Sequence, residues 1–432
     1  MRNEIFGGIV GLVVGDALGV PVEFMSRHEL KANPVTTMRD YGSHNQLRGT
    51  WSDDSSMTLC LVDSLNSGLS YDDIAAKFLD WADAGYMTPH GEMFDIGRTT
   101  LTAIRRFAGG TSPLECGGSS EYDNGNGSLM RILPLAFYTF GMKKQERFEI
   151  VHNISRLTHS HERTLIACGI YVQLACELLK GYSKEKAYHR MIDECKNIYK
   201  DEYELVHFQR VLGGEIQKLK EAEISSSGYV VDTLEAALWC LLTTDSFSDC
   251  VLKAVNLGDD TDTVGAVAGG LAGIVYGYHS IPEDWVAVIP KKQQVFDLCE
   301  KFQTICRPFL PLYTYMEYFE SNPTYQWSGG KQKDGTIIMP YPNYDKTLIE
   351  FTELPYDLGF MDYNYHDTLA SYGCTDDDGL IEVIATANTE LILAVLTAYI
   401  RGERFCDGLW ASCVQNGVFT AILRRLKELE AL

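Results

Sequence analysis

Two segments of this sequence carry a glycine at every fourth position of an apolar run, at 7, 11, 15 and 19 and again at 265, 269, 273 and 277. Each glycine inside a helix costs about 1 kcal/mol relative to alanine, so a glycine stripe needs a compensating contact. Residues four apart share one helix face, and a face without side chains admits another backbone at close range. We therefore predict two buried central helices that pack against each other. The alternative is that these are turn glycines in strands.

Composition and charge narrow the class of protein. The 432 residues suffice for one large domain and a smaller one, and 45% hydrophobic with 22% charged residues is ordinary for a globular chain. The formal net charge of −22 argues against a nucleic-acid partner, because binding to a phosphate backbone requires a concentration of Lys and Arg. Divalent cations suit such an acidic protein better.

Neither the cysteines nor the N-terminus indicates export or a membrane. The twelve cysteines contain no Cys-x-x-Cys pair, which favours a reduced, cytoplasmic protein. Residues 5–15 resemble a short signal-peptide core, but Glu4 offsets Arg2 before it and Asp16 follows closely. We find no run of about 18 or more apolar residues and expect no membrane span.

Helical periodicity dominates the chain up to about residue 310 and changes after it. We predict helices over 71–81, 163–180, 204–221, 232–242 and 286–302. Turn-forming pairs follow in series between 322 and 346, which is typical of a linker or an irregular domain entry. For the C-terminal region we expect a small mixed α+β domain with strands at 336–339 and 348–354, a solvated turn at 375–379, and helices at 381–401 and 409–429.

The strongest local signal is the motif Trp51-Ser52-Asp53-Asp54. Ser52 stands where a helix N-cap is expected, with the two aspartates in the first turn. Acidic residues favour a helix N-terminus through the helix dipole alone, so capping explains them as well as metal binding does. Adjacent carboxylates and hydroxyls are nevertheless the oxygen ligands that Mg²⁺ or Mn²⁺ prefers.

A second acidic cluster, Asp259-Asp260-Thr261-Asp262-Thr263, directly precedes the second glycine stripe. Three neighbouring carboxylates repel one another unless a cation bridges them, and a helix needs only one cap. This cluster therefore favours metal ligation. The first stripe ends beside Asp16 and Glu23, so if the two helices meet, carboxylates remote in sequence converge at one end.

One turn is suited to an anion. The glycines of Asn124-Gly125-Asn126-Gly127-Ser128 allow backbone N–H groups to point together at a phosphate. An ordinary tight turn explains the same residues equally well.

Six motifs in order resemble the ADP-ribosylglycohydrolases of the dinitrogenase-reductase-activating and ADP-ribosylhydrolase type, over about residues 4–310. They are Gly15-Asp16-Ala17-Leu18-Gly19 with Glu23, Trp51-Ser52-Asp53-Asp54, Asp95-Ile96-Gly97, Gly125-Asn126-Gly127-Ser128-Leu129-Met130-Arg131, Thr158-His159-Ser160 and Asp260-Thr261-Asp262-Thr263. The resemblance implies an all-α fold, a large orthogonal helical bundle, with two divalent cations, Mg²⁺ or Mn²⁺. The implied metal ligands are Ser52, Asp53, Asp54, Asp260, Asp262 and Thr263.

The same resemblance assigns roles to further residues. Glu23 matches the family's mobile acidic residue that gates the site, and Asp95 matches a position of acid or base work, so these two are the candidate catalytic residues. The residues matched to ADP-ribose binding are Asn126, Gly127, Ser128, Met130 and His159. We expect Arg131 to be structural and leave His161 outside the site.

Two features depart from the family pattern. Asp259 stands where the family commonly has glycine, and the chain continues beyond the end of the core family. The segment 400–410 resembles an accessory domain of unknown function. We accordingly predict a catalytic domain at 1–320, a linker or irregular domain entry at 321–346 and an accessory domain at 347–432.

The resemblance implies metal-dependent hydrolysis of the glycosidic bond between ADP-ribose and a modified acceptor, which releases ADP-ribose and reverses the modification. The expected partner is an ADP-ribosylated protein or another ADP-ribose conjugate. Two alternatives stay open, a non-catalytic module that binds ADP-ribose and a hydrolase of small ADP-ribose conjugates. Isoprenoid synthases also use aspartate clusters, but as Asp-Asp-x-x-Asp within a helix, which is not the spacing here.

Overall fold

The computed structural model describes residues 2–331, 334, 336–374 and 377–431. They divide into two compact units, one of residues 2–140 and 146–306, the other of residues 141–145 and the chain from Arg307 onward. The first unit is built from helices joined by loops and short 3₁₀ turns. Its helices are α1 (Arg2–Gly19), α2 (Arg27–Ala32), α3 (Asp53–Leu65), α4 (Tyr71–Ala84), α5 (Arg98–Ala108), α6 (Pro134–Tyr138), α7 (Lys144–Arg156), α8 (Glu162–Leu179), α9 (Lys184–Ile198), α10 (Val230–Leu242), α11 (Phe247–Val255), α12 (Thr261–Tyr276), α13 (Glu283–Ala287) and α14 (Lys292–Ile305).

The two glycine stripes form α1 and α12, which pack against each other as predicted. A β-carbon built on Gly7 would lie 2.1 Å from the backbone oxygen of Gly273, and one built on Gly11 would lie 2.5 Å from that of Gly269. The contacts run in opposite directions along the two helices, so the pair is antiparallel. Its consequence for the site is that the C-terminal end of α1 lies beside the N-terminal end of α12.

Helix α1 is more apolar than expected from the sequence. Residues Asn3–Val22 have a mean hydropathy of 2.0 and are long and apolar enough to cross a membrane, which corrects the expectation that no such run exists. Residues 5–22 of this stretch are all buried, and its glycine face contacts α12. In this structure α1 is therefore a core helix.

Most helices predicted in the first unit are confirmed, but two predictions are wrong in detail. Segment 204–221 forms a series of short 3₁₀ turns, because it contains a glycine pair in which Gly214 takes a φ of +82°. Segment 286–302 is divided between α13 and α14 at Pro290 and Lys291, where Lys291 takes a φ of +49°. Apolar periodicity alone does not detect such breaks.

The second unit combines a hairpin with short helices. Strand β1 (Gln326–Lys331) pairs antiparallel with β2 (Ile337–Asn343), with an irregularity between Ser328 and Gly330. The helices are α15 (Leu310–Tyr313), α16 (Met316–Glu320), α17 (Lys346–Asp357), α18 (Tyr365–Ser371), α19 (Asp377–Val383), α20 (Thr389–Gly402), α21 (Leu409–Gln415) and α22 (Val418–Ala431). The predicted fold class, all-α with a small mixed C-terminal region, is thereby confirmed.

One of the two strands expected in this unit is present. Of the strand expected at 336–339, residues 337–339 lie in β2. The strand expected at 348–354 is wrong, because this segment lies in α17. The Asp345 side chain caps α17 by accepting a hydrogen bond from the Leu348 N–H at 2.9 Å. Leu348, Phe351 and Thr352 are buried at helical rather than strand spacing.

The two long C-terminal helices that the sequence predicts are each divided. Asn388 caps α20, and Gly417, at a φ of +70°, separates α21 from α22. Of the solvated turn predicted at 375–379, Thr375 and Asp376 lie outside the described residues, and Asp377 begins α19. The domain boundaries at 320 and 346 stay predictions.

Candidate active site

The carboxylates of the two acidic clusters meet where the end of α1 lies beside the start of α12. A β-carbon built on Gly19 would lie 2.3 Å from the backbone nitrogen of Asp262, so the two helix ends are in backbone contact. Asp16 of α1 holds the start of α3 at the same place, because its carboxylate accepts hydrogen bonds from the Ser52 N–H at 2.9 Å and the Ser55 N–H at 3.0 Å. Three helix ends therefore share one buried position.

Ser52 caps α3, as predicted. The Asp54 N–H donates to the Ser52 hydroxyl at 3.4 Å, and this hydroxyl donates to an Asp54 carboxylate oxygen at 2.9 Å. One cap is satisfied in this way, yet the Asp53 and Asp54 side chains are both buried as well. Capping alone does not account for two buried carboxylates in one helical turn.

Two groups of carboxylates are close enough to share cations. One oxygen each from Asp16, Asp54 and Asp262 lie within 4.8 Å of one another, and so do one oxygen each from Glu23, Asp260 and Asp262. Asp54 Oδ1 and Asp262 Oδ2 are buried and accept no hydrogen bond from the part of the chain that the structure describes. Buried carboxylate oxygens without a donor are stabilised by a cation, and an all-oxygen set suits a hard divalent ion. These residues therefore fit the metal centre that the resemblance implies.

Burial and mutual repulsion raise the pKa values of these carboxyl groups. The pKa values of Asp53, Asp54 and Asp262 are raised well above their usual range, first by burial and then by the neighbouring carboxylates. Burial also raises the pKa of Asp16 to about 6, although hydrogen-bond donors oppose the shift. A divalent cation would lower all of these pKa values, because it stabilises the ionised carboxylates.

A cavity of about 230 Å³ opens beside the acidic cluster. The predicted residues in its lining are Glu23, Asp53, Asp95, Asn126, Gly127, Met130, His159, Asp260 and Thr263. The predicted residues outside the described lining are Ser52, Asp54, Ser128 and Asp262. These four are buried, and three of them, Ser52, Asp54 and Asp262, belong to the acidic clusters beside the cavity. Both candidate catalytic carboxylates therefore line the same cavity as Asp53, Asp260 and Thr263 of the acidic clusters.

Arg131 holds one wall of this cavity from behind. Its guanidinium is buried, donates to the Gly127 carbonyl oxygen and donates to Thr158 Oγ1 at 2.8 Å. Thr158 Oγ1 in turn is hydrogen-bonded to His159 Nδ1 at 2.8 Å. Burial lowers the pKa of His159 to about 3, so this imidazole is neutral at physiological pH. Arg131 is thus structural, as expected, and fixes the Gly127 turn and the imidazole together.

Two groups of the predicted phosphate cradle, the Asn126 N–H and the Ser128 hydroxyl, are engaged within the protein. The Asn126 N–H donates to the Gly228 carbonyl oxygen at 3.1 Å, so it does not point into the cavity. The Asn126 side-chain amide donates to Asp260 Oδ2 at 2.9 Å and orients that carboxylate. Ser128 lies behind the turn, where its hydroxyl accepts a hydrogen bond from Ser155 Oγ at 2.9 Å. These contacts do not support ADP-ribose binding by Ser128.

Two residues of the site were missing from the predicted ligand and catalytic sets. Asp16 belongs to one of the two carboxylate groups, and its position directly after Gly15 of the stripe was a usable signal. His44 contacts the Glu23 carboxylate through Nε2 and lies in a polar loop without a recognisable motif. His161 lies outside the site, as expected, because its ring accepts a hydrogen bond from the Arg163 N–H at 3.2 Å and caps α8.

Comparison with known families divides the chain in two. The model of the ADP-ribosylglycohydrolase family matches residues 1–309. The model of a family of unknown function (DUF6508) matches residues 309–431. The first match covers the acidic clusters and every residue of the cavity lining named above.

Individual relatives are similar over the same region. The ADP-ribosylarginine hydrolase Tri1 of Serratia proteamaculans (strain 568) is 34% identical over 298 residues, which are 68% of this chain and 77% of the relative. The ADP-ribosyl-[dinitrogen reductase] glycohydrolase of Rhodospirillum rubrum is 32% identical over 304 residues, which are 68% of this chain and 92% of the relative. A solved structure named ADP-ribosylglycohydrolase-related protein complex has 30% identity and a TM-score of 0.61, covering 71% of this chain and 98% of its own. The chain therefore belongs to the ADP-ribosylglycohydrolase family and is a glycohydrolase.

Proposed function

We propose that this enzyme hydrolyses the bond that joins ADP-ribose to an arginine side chain of a modified protein, with divalent cations as cofactors. The observation that carries the proposal is the buried pair of carboxylate groups sharing Asp262. Asp260 of one group lines the cavity together with the neighbouring Asp53 and Thr263. A site of this kind can hold a ribose hydroxyl pair and a water molecule at one acidic surface.

The arginine acceptor is inferred from charge. Glu23, Asp53 and Asp95 line the cavity, and a guanidinium group pairs well with carboxylates. The name of the Serratia relative specifies ADP-ribosylarginine, and that of the Rhodospirillum relative specifies a modified protein. Both names support an ADP-ribosylated protein as the partner of this chain.

Two cations, Mg²⁺ or Mn²⁺, are part of the proposal. The residues that would hold them are those the resemblance implies, Ser52, Asp53, Asp54, Asp260, Asp262 and Thr263. To these we add Asp16, which has a carboxylate oxygen within 4.8 Å of one from Asp54 and one from Asp262. Bound there, such cations supply Lewis acidity that orients the ribose and the attacking water. Asn126 has a supporting role, because its amide fixes the orientation of Asp260.

The proton transfers are assigned to the chain's own carboxyl groups. Hydrolysis forms a bond from the anomeric carbon to the water oxygen and breaks the bond to the acceptor nitrogen, through an oxocarbenium-like transition state. The water loses a proton and the departing nitrogen gains one. Glu23 and Asp95 both face the cavity. Burial raises the pKa of Glu23 to about 7, which suits proton exchange near neutral pH.

The cytoplasm is the proposed location. All twelve cysteines are free and eleven of them are buried, which is compatible with a reducing compartment.

The deciding experiment measures ADP-ribose release from defined conjugates linked through arginine, serine and nucleotide, each with Mg²⁺, with Mn²⁺ and with EDTA. We expect metal-dependent release from the arginine conjugate. Release only from another linkage would show that the acceptor is not arginine. Release only from small conjugates would exclude protein substrates. Tight ADP-ribose binding without release from any conjugate would identify a non-catalytic binding module instead.

A further inference from the structure

A tight turn places His44 against Glu23. Residues Gly42–His44 form a 3₁₀ turn, flanked by Tyr41 and Gln46, which pair with each other as an antiparallel bridge. A β-carbon built on Gly42 would lie 1.8 Å from the backbone oxygen of Pro21, so the turn is in backbone contact with the segment that leads to Glu23. The position of His44 is therefore set by the backbone and not by a flexible side chain alone.

Three contacts hold Glu23 and the residue after it, two from the adjacent Ser43 and His44 and one from Asp259. The Glu23 carboxylate accepts a hydrogen bond from His44 Nε2, and its backbone oxygen accepts one from Ser43 Oγ at 2.5 Å. The next residue is also fixed, because the Phe24 N–H donates to the Asp259 backbone oxygen at 2.7 Å. Of these three contacts, the one from His44 is the one that reaches the carboxylate.

The His44 ring also adjoins the second candidate catalytic residue. Its centroid lies 5.3 Å from that of Phe94, the residue before Asp95, and 5.9 Å from that of Phe24. One potential ligand atom each from Glu23, His44 and Asp95 lie within 4.8 Å of one another. The imidazole is thus packed between two aromatic rings, and its side chain is only 16% exposed.

We propose that His44 is a positioning residue that keeps the Glu23 carboxylate turned into the cavity. The Glu23 side chain is 7% exposed and shares its surroundings with the carboxylates of Asp95, Asp260 and Asp262. Like charges at this range repel Glu23, while a hydrogen bond from His44 offsets the repulsion and fixes the direction of the carboxylate. Without it, we expect Glu23 to turn toward solvent beside the exposed Phe24. The inference rests on the proposed function, in which Glu23 transfers a proton.

The test compares two substitutions with a matched control. His44→Leu removes the donor, whereas His44→Gln offers an amide N–H at about the place of Nε2. His90→Leu is the control, because His90 is hydrogen-bonded to Thr50 Oγ1 at 3.0 Å and makes no described contact with Glu23. The readouts are kcat and KM on the arginine conjugate, the affinity for Mn²⁺ by electron paramagnetic resonance, and the melting temperature.

We expect His44→Leu to lower kcat by about ten- to a hundredfold, because a proton-transfer group is misplaced. KM and melting temperature should stay close to those of the wild type, and Mn²⁺ affinity should fall only slightly, because Glu23 is one carboxylate among several around the cation positions. His44→Gln should recover most of kcat, and His90→Leu should stay within about twofold of the wild type. Equal kcat values in all variants, or equal losses in His44→Leu and His44→Gln, would overturn the proposal.

A second measurement separates this inference from the proposed function. If the wild type releases ADP-ribose from no conjugate, the proposed function fails while the pairing of His44 with Glu23 is still testable. Nitrogen-15 spectra of the ten histidines would then be compared between the wild type and Glu23→Gln. The largest change should fall on the resonance that His44→Gln removes. An unchanged His44 resonance would overturn the inference by itself.

Discussion

Gly15 of α1 and Gly265 of α12 meet backbone to backbone. A β-carbon built on Gly15 would lie 2.1 Å from the backbone oxygen of Gly265 and 2.5 Å from its carbonyl carbon. Asp16 directly follows Gly15, and Asp262 lies three residues before Gly265. One carboxylate oxygen from each lies within 4.8 Å of the other. The spacing of the helix pair therefore sets the spacing of the acidic cluster.

Gly15→Ala should destabilise the protein, because the added methyl group meets backbone that has no rotamer to change. We expect a loss of about 1–3 kcal/mol in the free energy of unfolding, measured by chemical denaturation. Gly213→Ala is the matched control, since a β-carbon there meets nothing within 4 Å. Equal losses from both substitutions would show that helix packing is not the cause.

Asp53→Ala and Asp260→Ala should each abolish ADP-ribose release from a protein that stays folded. The expected loss is at least about a hundredfold in kcat, because both carboxylates belong to the acidic edge that faces the cavity. The measurement is turnover together with circular dichroism. Asp259→Gly is the control, because Asp259 is exposed and adopts a φ of +60°, which glycine accepts more readily. Near-normal turnover in Asp53→Ala would contradict the metal assignment.

Divalent cations should raise the melting temperature. Binding to the native state alone adds about 2.7 kcal/mol of stability at a cation concentration a hundred times the dissociation constant. The cause is relief of repulsion among buried carboxylates, including Asp54 Oδ1 and Asp262 Oδ2, which lack hydrogen-bond donors in the described chain. Differential scanning fluorimetry with Mg²⁺ and with EDTA measures the effect. Asp54→Asn should reduce the Mg²⁺-dependent shift, and an unchanged shift would count against this site.

Acidification should destabilise the fold through His152. Burial lowers the pKa of this imidazole to about 4, and its Nε2 is hydrogen-bonded to the Tyr199 hydroxyl at 2.8 Å. A histidine in the unfolded chain has a pKa of about 6.5. Below that pH the unfolded state therefore binds a proton that the native His152 does not yet bind. The free energy of unfolding therefore rises with pH between about 4 and about 6.5, by up to about 1.4 kcal/mol per pH unit, and is fully regained above this window.

Denaturant unfolding at a series of pH values tests this dependence. His152→Gln should reduce the rise in stability between about pH 4 and about pH 6.5, because it removes the group that binds a proton only in the unfolded state. A slope that is the same in His152→Gln and in the wild type would assign the pH dependence to other groups.

The central helix pair and the positions of the two acidic clusters could be predicted from local patterns in the sequence, whereas the roles of the other candidate site residues came from the family resemblance and stay predictions. A glycine at every fourth position from Gly7 to Gly19 indicates close helix packing. Asp53 and Asp260 lie at helix starts that the capping preferences predict. The same local reasoning was wrong at 348–354. The composition of this segment is typical of a strand, but the segment forms part of a helix that Asp345 caps. The reasoning was also wrong at 204–221, where the Gly213-Gly214 pair interrupts the period.

The sequence by itself determined which residue types are present and which helix ends carry them. Only the tertiary structure decided which carboxylate oxygens come together. Asp16 and Asp262 meet through the antiparallel packing of α1 and α12, and Asp54 joins them because the start of α3 donates hydrogen bonds to Asp16. It also decided that His44 contacts Glu23, through a turn that packs on Pro21. Such contacts depend on backbone distances between remote segments, and these arise from packing of the whole unit and not from any local pattern.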